Sequence, residues 1–117
     1  MADIEITGTY CRDNGKPVSL TVGVGNGHKG RIKVTLDGTQ VYKGDPVKNL
    51  SIGAGSKLLV ESVVTVMSPK LNTIVTYNLR NGKGSEADCS GPGDWMSEKE
   101  GEDQGDTMEH KAVFTLK

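Results

Sequence analysis

Residues 18–36 read VSLTVGVGNGHKGRIKVTL, and this stretch carries the clearest strand pattern in the chain. Apolar residues occupy every second position on both sides of a glycine-rich turn: Val18, Leu20, Val22 and Val24 before it, Ile32, Val34 and Leu36 after it. Successive side chains of a β-strand point to opposite faces, so this period of two predicts two strands, each buried on one face.

The same alternation recurs outward from this stretch. It marks further strands near residues 4–9, 39–42, 47–52, 57–67, 71–79 and 111–116. Asp37-Gly38 separates two of them and favours a tight type I′ hairpin, because both central residues of that turn need a positive φ. The run from Leu58 to Val66 is apolar on both faces in places, which predicts a strand inside a sheet and not at its edge.

Composition supports a fold built of strands alone. Val, Ile and Thr make 27 of the 117 residues, against four Ala, and branched side chains fit a pleated sheet better than a helix. We expect residues 1–117 to form a single antiparallel β-sandwich of immunoglobulin-like or fibronectin-III-like architecture, with about seven or eight strands. A closed barrel is the alternative.

The strand pattern breaks at Asn81 and returns only near the C-terminus. Nine carboxylates and one lysine, Lys99, lie between Glu86 and Glu109, which gives this segment a charge of −8 and leaves +7 on the remainder. A segment so polar and so rich in glycine is typical of a long solvated loop. The sequence therefore predicts an acidic loop over about 81–107 as the contact surface of the protein.

Within that segment, Trp95, Met96, Glu98 and Glu100 are the residues expected to bind a partner. An exposed tryptophan on an acidic surface suits a protein interface or a sugar-stacking platform. Trp95 could equally fold back to cap the small core. A carbohydrate site would need a second planar aromatic beside it, which only Tyr10, Tyr42 or Tyr77 could supply.

Glu102, Asp103 and Asp106 form the candidate metal site. Calcium binds six to eight oxygens, and these carboxylates lie close together, but they lack the spacing of an EF-hand loop. Calcium is the one cofactor that the sequence suggests.

The two cysteines, Cys11 and Cys89, are 78 positions apart and are predicted to form a disulfide bond. Disulfides persist in oxidising compartments, so the pair favours an extracellular, periplasmic or cell-surface location. Two free thiols in a cytoplasmic protein are the alternative.

Other motifs carry little weight. Residues 25–30 match G-x-G-x-x-G, but a strand follows where a nucleotide-binding loop would open a helix, so a flexible hairpin loop is expected. His28 and His110 lack the neighbours of a zinc site and are expected to be solvated. No nucleophile elbow, no basic stripe for nucleic acid and no apolar run long enough to span a membrane occurs.

The sequence thus favours a non-catalytic binding or structural module of an exported or cell-surface protein, which contacts a protein partner through its acidic loop. A carbohydrate-binding or calcium-binding module is the first alternative, and a small protein regulator or inhibitor is the second.

Overall fold

A computed structural model describes residues 3–13, 16–85, 89, 91–101 and 103–117, and every regular element in them is a β-strand. The ten strands are β1 (Ile4–Cys11), β2 (Val18–Val24), β3 (Lys29–Leu36), β4 (Thr39–Gly44), β5 (Leu50–Ile52), β6 (Lys57–Thr65), β7 (Thr73–Arg80), β8 (Gly84–Ser85), β9 (Gly93–Lys99) and β10 (Thr107–Leu116). The all-β prediction is confirmed. These described residues contain no helix that is long and apolar enough to cross a membrane.

The strands form two sheets that face each other across one core. The six-stranded sheet has the order β4-β3-β6-β10-β1-β8, and the four-stranded sheet has the order β5-β2-β7-β9. All pairs are antiparallel except β1 with β10, which run parallel from Ile4 opposite His110 to Tyr10 opposite Leu116. The expected sandwich of antiparallel strands therefore holds, with this one parallel pair as the exception.

The core fills the space between the sheets. The alternating residues of β2, such as Leu20 and Val22, are fully buried and belong to one core cluster with buried residues of β6 and β10 from the other sheet. Tyr77 of β7 and Phe114 of β10 contact each other edge to face, with ring centroids 5.6 Å apart. Aromatic pairs favour this geometry, so the contact joins the two sheets at their centre.

The predicted hairpin at Asp37-Gly38 is confirmed. Both residues have positive φ, 49° for Asp37 and 84° for Gly38, as a type I′ turn requires. The predicted interior strand is also confirmed, because β6 lies between β3 and β10.

The glycine-rich turn has a different role from the expected one. Asn26 and Gly27 have φ values of 58° and 73°, and the turn carries the chain from β2 in one sheet to β3 in the other. The Asn26 side-chain amide donates a hydrogen bond to the carbonyl of Asn72, 2.8 Å away. The loop is thus a corner between sheets and not a hairpin within one.

The predicted acidic loop is wrong where β8 and β9 lie within it. Residues 81–107 contain β8 and the seven-residue strand β9, so the described strands number ten, above the expected seven or eight. The inward positions of β9 are Gly93, Trp95 and Ser97, two of which are not hydrophobic. A pattern based on apolar residues misses such a strand.

Candidate functional site on strand β9

Strand β9 ends the four-stranded sheet and presents two different faces. It pairs with β7 from Thr73 opposite Lys99 to Leu79 opposite Gly93. Trp95 and Ser97 point toward the core, while Asp94, Met96 and Glu98 point outward. The sequence grouped Trp95, Met96, Glu98 and Glu100 as one contact surface, and the period of two divides them: Trp95 faces inward, Met96 and Glu98 face outward, and Glu100 follows the strand, exposed.

Trp95 closes the gap between the two sheets at this side. Its ring is half-buried, with its centroid 4.7 Å from that of Phe114 and 6.5 Å from that of Tyr10. It also lies close to β1 at Gly8, where an added Cβ would come within 2.5 Å of the indole nitrogen. Of the two roles that the sequence left open, the geometry matches the cap on the core.

We call Asp94, Met96 and Glu98 the β9 strip. Met96 is 57% exposed, the most exposed of the large apolar side chains in the described residues. The carboxylates on either side of it are held in place: Asn78 donates to Asp94 over 2.7 Å, and Asn72 donates to Glu98 over 2.8 Å. The strip therefore presents an apolar side chain between two fixed negative groups.

The two carboxylates of the strip differ in their charge balance. Arg80 forms an ion pair with Asp94, with 2.7 Å between Nη2 and Oδ1. The hydrogen bond from Asn78, together with this ion pair, holds the pKa of Asp94 below its usual range. Glu98 accepts only from the neutral amide of Asn72 among the described residues. Glu98 is thus the uncompensated charge of the strip.

A cleft of about 500 Å³ lies beside the inward face of β9. It is lined by Thr9, Cys11, Ser85, Cys89, Pro92, Asp94, Trp95 and Lys117. The predicted disulfide is confirmed and forms one wall: Cys11 and Cys89 are bonded, with 5.7 Å between their Cα atoms. The bridge ties the end of β1 to the segment that leads into β9.

A carbohydrate site would need a second open ring face beside Trp95, and no described tyrosine provides one. Tyr10 and Tyr77 are 2% and 0% exposed, so neither offers an open ring face. Tyr42 lies on β4, at the far edge of the six-stranded sheet. The carbohydrate alternative therefore gains no support from the described tyrosines.

The described residues do not support the calcium prediction either. Asp103 and Asp106 lie in an exposed turn whose backbone is bonded to Val66, the residue that follows β6. The N–H of Gly105 donates to the carbonyl of Val66, and the N–H of Val66 donates to the carbonyl of Asp106, each over 2.8 Å. Glu102 lies outside the described residues. In the described part of the chain no group of three potential metal ligands is found.

Both histidines were expected to be solvated, and both are buried. The backbone N–H of Met67 donates to Nδ1 of His28 over 3.0 Å, and Nε2 lies 3.2 Å from the carbonyl of Leu71. His28 therefore bridges two backbone segments and carries its ring proton on Nε2. It fixes the chain between β6 and β7.

His110 lies between the sheets and is 1% exposed. Its Nδ1 is 2.7 Å from Oγ of Ser97, and its Nε2 is 2.9 Å from Oγ1 of Thr73. The hydroxyl of Tyr77 joins this network through Oγ of Ser97, 3.2 Å away. Burial lowers the pKa of His110, while the charge of Asp3 partly opposes that effect.

A serine bonded to a histidine resembles the start of a catalytic arrangement, but here it is out of reach. Ser97 and His110 are each 1% exposed, so no substrate could approach the serine oxygen in this structure. The sequence held a signal for this burial. Continuing the alternation of Phe114 and Ala112 back by two positions places His110 on the inward face of β10.

No known protein family matches this chain, and neither a curated protein nor a solved structure shows significant similarity to it.

Proposed function

We propose that this protein is a non-catalytic binding module, immunoglobulin-like in architecture and derived from an exported or cell-surface protein, that contacts a protein partner through the β9 strip. The observation that carries the proposal is Met96, 57% exposed between two carboxylates that neighbouring amides hold in place. Methionine is enriched at protein interfaces, whose rims are polar.

Rigidity matters because a side chain that is already ordered loses little entropy on binding. Asn78 and Asn72 order the carboxylates before any partner arrives. Excess negative charge at the strip also raises the rate at which a basic partner associates. The confirmed disulfide supports the exported location, since such bonds persist outside the reducing cytosol.

Site-specific photo-crosslinking tests the proposal. A photoreactive residue placed at Met96 should give a saturable crosslink in an extract of the source organism, and excess unlabelled protein should remove it. The same residue at Val63 is the matched control, because Val63 is 39% exposed on the outer face of the other sheet. Crosslinks of equal yield at both positions, or none that saturates at Met96, would refute the proposal.

A charge variant gives a second readout. Glu98→Lys should weaken the crosslinked complex, whereas Glu61→Lys, on the outer face of the six-stranded sheet, should not. Raising the ionic strength should weaken the complex with the unmodified chain in the same direction.

A further inference from the structure

The outer edge of β9 carries backbone groups that no described residue pairs. The backbone N–H of Gly25 donates to the carbonyl of Ile74 over 2.9 Å. This bond shows which of the opposite residue pairs between β2 and β7 are hydrogen-bonded. Alternate residues of a strand bond to opposite neighbours. The even-numbered residues of β7 therefore bond to β2, and the odd-numbered ones bond to β9.

The same alternation then fixes which groups of β9 face outward. Tyr77 is opposite Trp95 and Val75 is opposite Ser97, so Trp95 and Ser97 use their backbone groups within the sheet. The N–H and C=O groups of Asp94, Met96 and Glu98 consequently point to the free edge. The residues of the β9 strip thus present both their side chains and their backbone groups.

This edge differs from the β4 edge of the six-stranded sheet. The pairing of β4 with β3 shifts register between Val34 and Thr35, an irregularity of the kind that blunts sheet edges. The pairing of β9 with β7 runs without a shift from Gly93 to Lys99. A regular edge is the template on which a further strand can add.

Charge selects the occupant of this edge. If β9 of a second copy added in antiparallel register about Met96, Asp94 of one chain would lie opposite Glu98 of the other, and like charges directly opposite are destabilising. A strand with a basic residue opposite Glu98 is favoured for the same reason. The edge therefore disfavours self-association and suits a basic segment.

We infer that an extended segment of the partner protein adds antiparallel to the outer edge of β9, with an apolar residue opposite Met96 and Lys or Arg opposite Glu98. This inference rests on the proposed function and specifies the partner. In an antiparallel pair the basic residue lies two positions before the apolar one. A basic residue two positions after it gains less, because Arg80 already neutralises Asp94.

A capped peptide, Ser-Thr-Lys-Val-Leu-Val-Thr-Ser, is the probe, with its leucine intended to lie opposite Met96. In the free protein the amides of Met96 and Glu98 should exchange with solvent quickly, and those of Trp95 and Ser97 slowly. Saturating peptide should slow exchange at Met96 and Glu98 by at least about tenfold. Protection that does not change there would overturn the inference.

Two peptide controls separate strand addition from simple charge attraction. N-methylation of the leucine removes one backbone donor and should weaken binding by about five- to tenfold. Replacing the lysine by glutamate should weaken it as well, and Glu98→Lys protein should reverse that preference. Equal binding of the methylated and unmodified peptides would overturn the inference.

A protein variant tests the same edge from the other side. Met96→Pro removes an N–H that faces solvent and leaves the β7–β9 ladder intact, which is the arrangement in which strands tolerate proline. It should abolish peptide binding while slow exchange at Trp95 and Ser97 persists. If that protection is lost, the N-methylated peptide decides the question alone.

The outcomes of the two proposals are distinguishable. A saturable crosslink at Met96 without peptide protection overturns strand addition and leaves the proposed function standing. If neither the saturable crosslink nor the peptide protection is observed, strand addition and the proposed function are both overturned.

Discussion

The hydroxyl oxygen of Ser97 lies 2.7 Å from Nδ1 of His110, so a hydrogen bond joins the last strand of the four-stranded sheet to β10 of the six-stranded sheet. Oγ1 of Thr73 lies 2.9 Å from the other ring nitrogen, Nε2 of His110. No carboxylate bonds to the ring among the described residues. A second proton on this imidazole would place a charge between the sheets with only hydroxyl groups to accept from it.

Stability should therefore fall in mildly acidic solution. Burial holds the pKa of folded His110 below its usual value of 6.5. The stability that comes from a neutral His110 is fully present above the pKa that this side chain has in the unfolded chain. It is lost as the pH falls through the lower pKa of the folded chain, because the unfolded chain takes up the proton first. Urea unfolding measured from about pH 8 to pH 5 should show this loss in the native chain and less of it in His110→Gln.

Asp3→Asn is the control for that experiment. Asp3 is the charged group that raises the pKa of His110, so its removal should extend the loss of stability to lower pH. Parallel pH profiles for the native chain and His110→Gln would contradict the prediction.

Reduction of the Cys11–Cys89 bond should lower stability substantially. The bond spans 78 positions, and closing a loop of that length removes unfolded-state entropy equivalent to about 4–5 kcal/mol on the chain-entropy model. The measurement is the thermal midpoint of the oxidised chain against that of a Cys11→Ser/Cys89→Ser variant. Intact mass with a thiol-blocking reagent reports the bond directly, and two blocked thiols in protein from its native source would contradict the exported location.

Gly8→Ala should destabilise the sandwich by about 1–3 kcal/mol, because the new methyl group would overlap the Trp95 indole and force it off Phe114. Tryptophan fluorescence should shift to longer wavelength as the ring gains contact with water. Gly53→Ala is the matched control, since a Cβ at Gly53 meets nothing within 4 Å. Equal effects of the two substitutions would rule out the proposed contact.

Asp37 should stabilise the fold through its charge as well as through its turn conformation. Its carboxylate accepts from the backbone N–H groups of Lys57, at 2.9 Å, and of Ser56, and these bonds lower its pKa from 3.8. Asp37→Asn keeps a residue that tolerates positive φ but loses the charge, and Asp37→Ala loses both. Urea unfolding near neutral pH should show that the native chain is the most stable, Asp37→Asn is less stable and Asp37→Ala is the least stable.

Acid reveals the charge contribution of Asp37 separately. The pKa of Asp37 is lower in the folded chain than in the unfolded chain, where it is 3.8. The stability that its charge provides is therefore present above pH 3.8 and disappears as the pH falls through the pKa of the folded chain. The native chain should lose this increment in acid, whereas Asp37→Asn should not. An identical acid dependence of the two would show that the carboxylate charge adds nothing.

Local signals were sufficient for much of this fold. The alternation from Val18 to Leu36 placed β2 and β3, and Asp37-Gly38 placed the hairpin after them, because a period of two and a demand for positive φ are properties of neighbouring residues. The disulfide followed from having one pair of cysteines. The interior position of β6 followed from apolar residues on both its faces.

The candidate site required distant information. Trp95 is inward because Gly8, far away in sequence, leaves room for its ring. The alternation of β10 points His110 inward, but it does not reveal that Ser97 and Thr73 satisfy the two ring nitrogens. None of these partners is near its counterpart in the chain. The strand β9 itself was missed because its buried positions hold glycine and serine, which only the packing against Tyr10 and His110 explains.

Local patterns in the sequence are enough to show that this chain is built of strands, where several of them turn, and that its acidic charge is concentrated before the last strand. The folded structure was needed to show that part of the acidic segment is an edge strand, with Met96 and Glu98 on one face and Trp95 on the other. The physical reason is that strand period and turn preference are local, whereas pairing, burial of polar groups and the position of a sheet edge depend on which residues meet across the core.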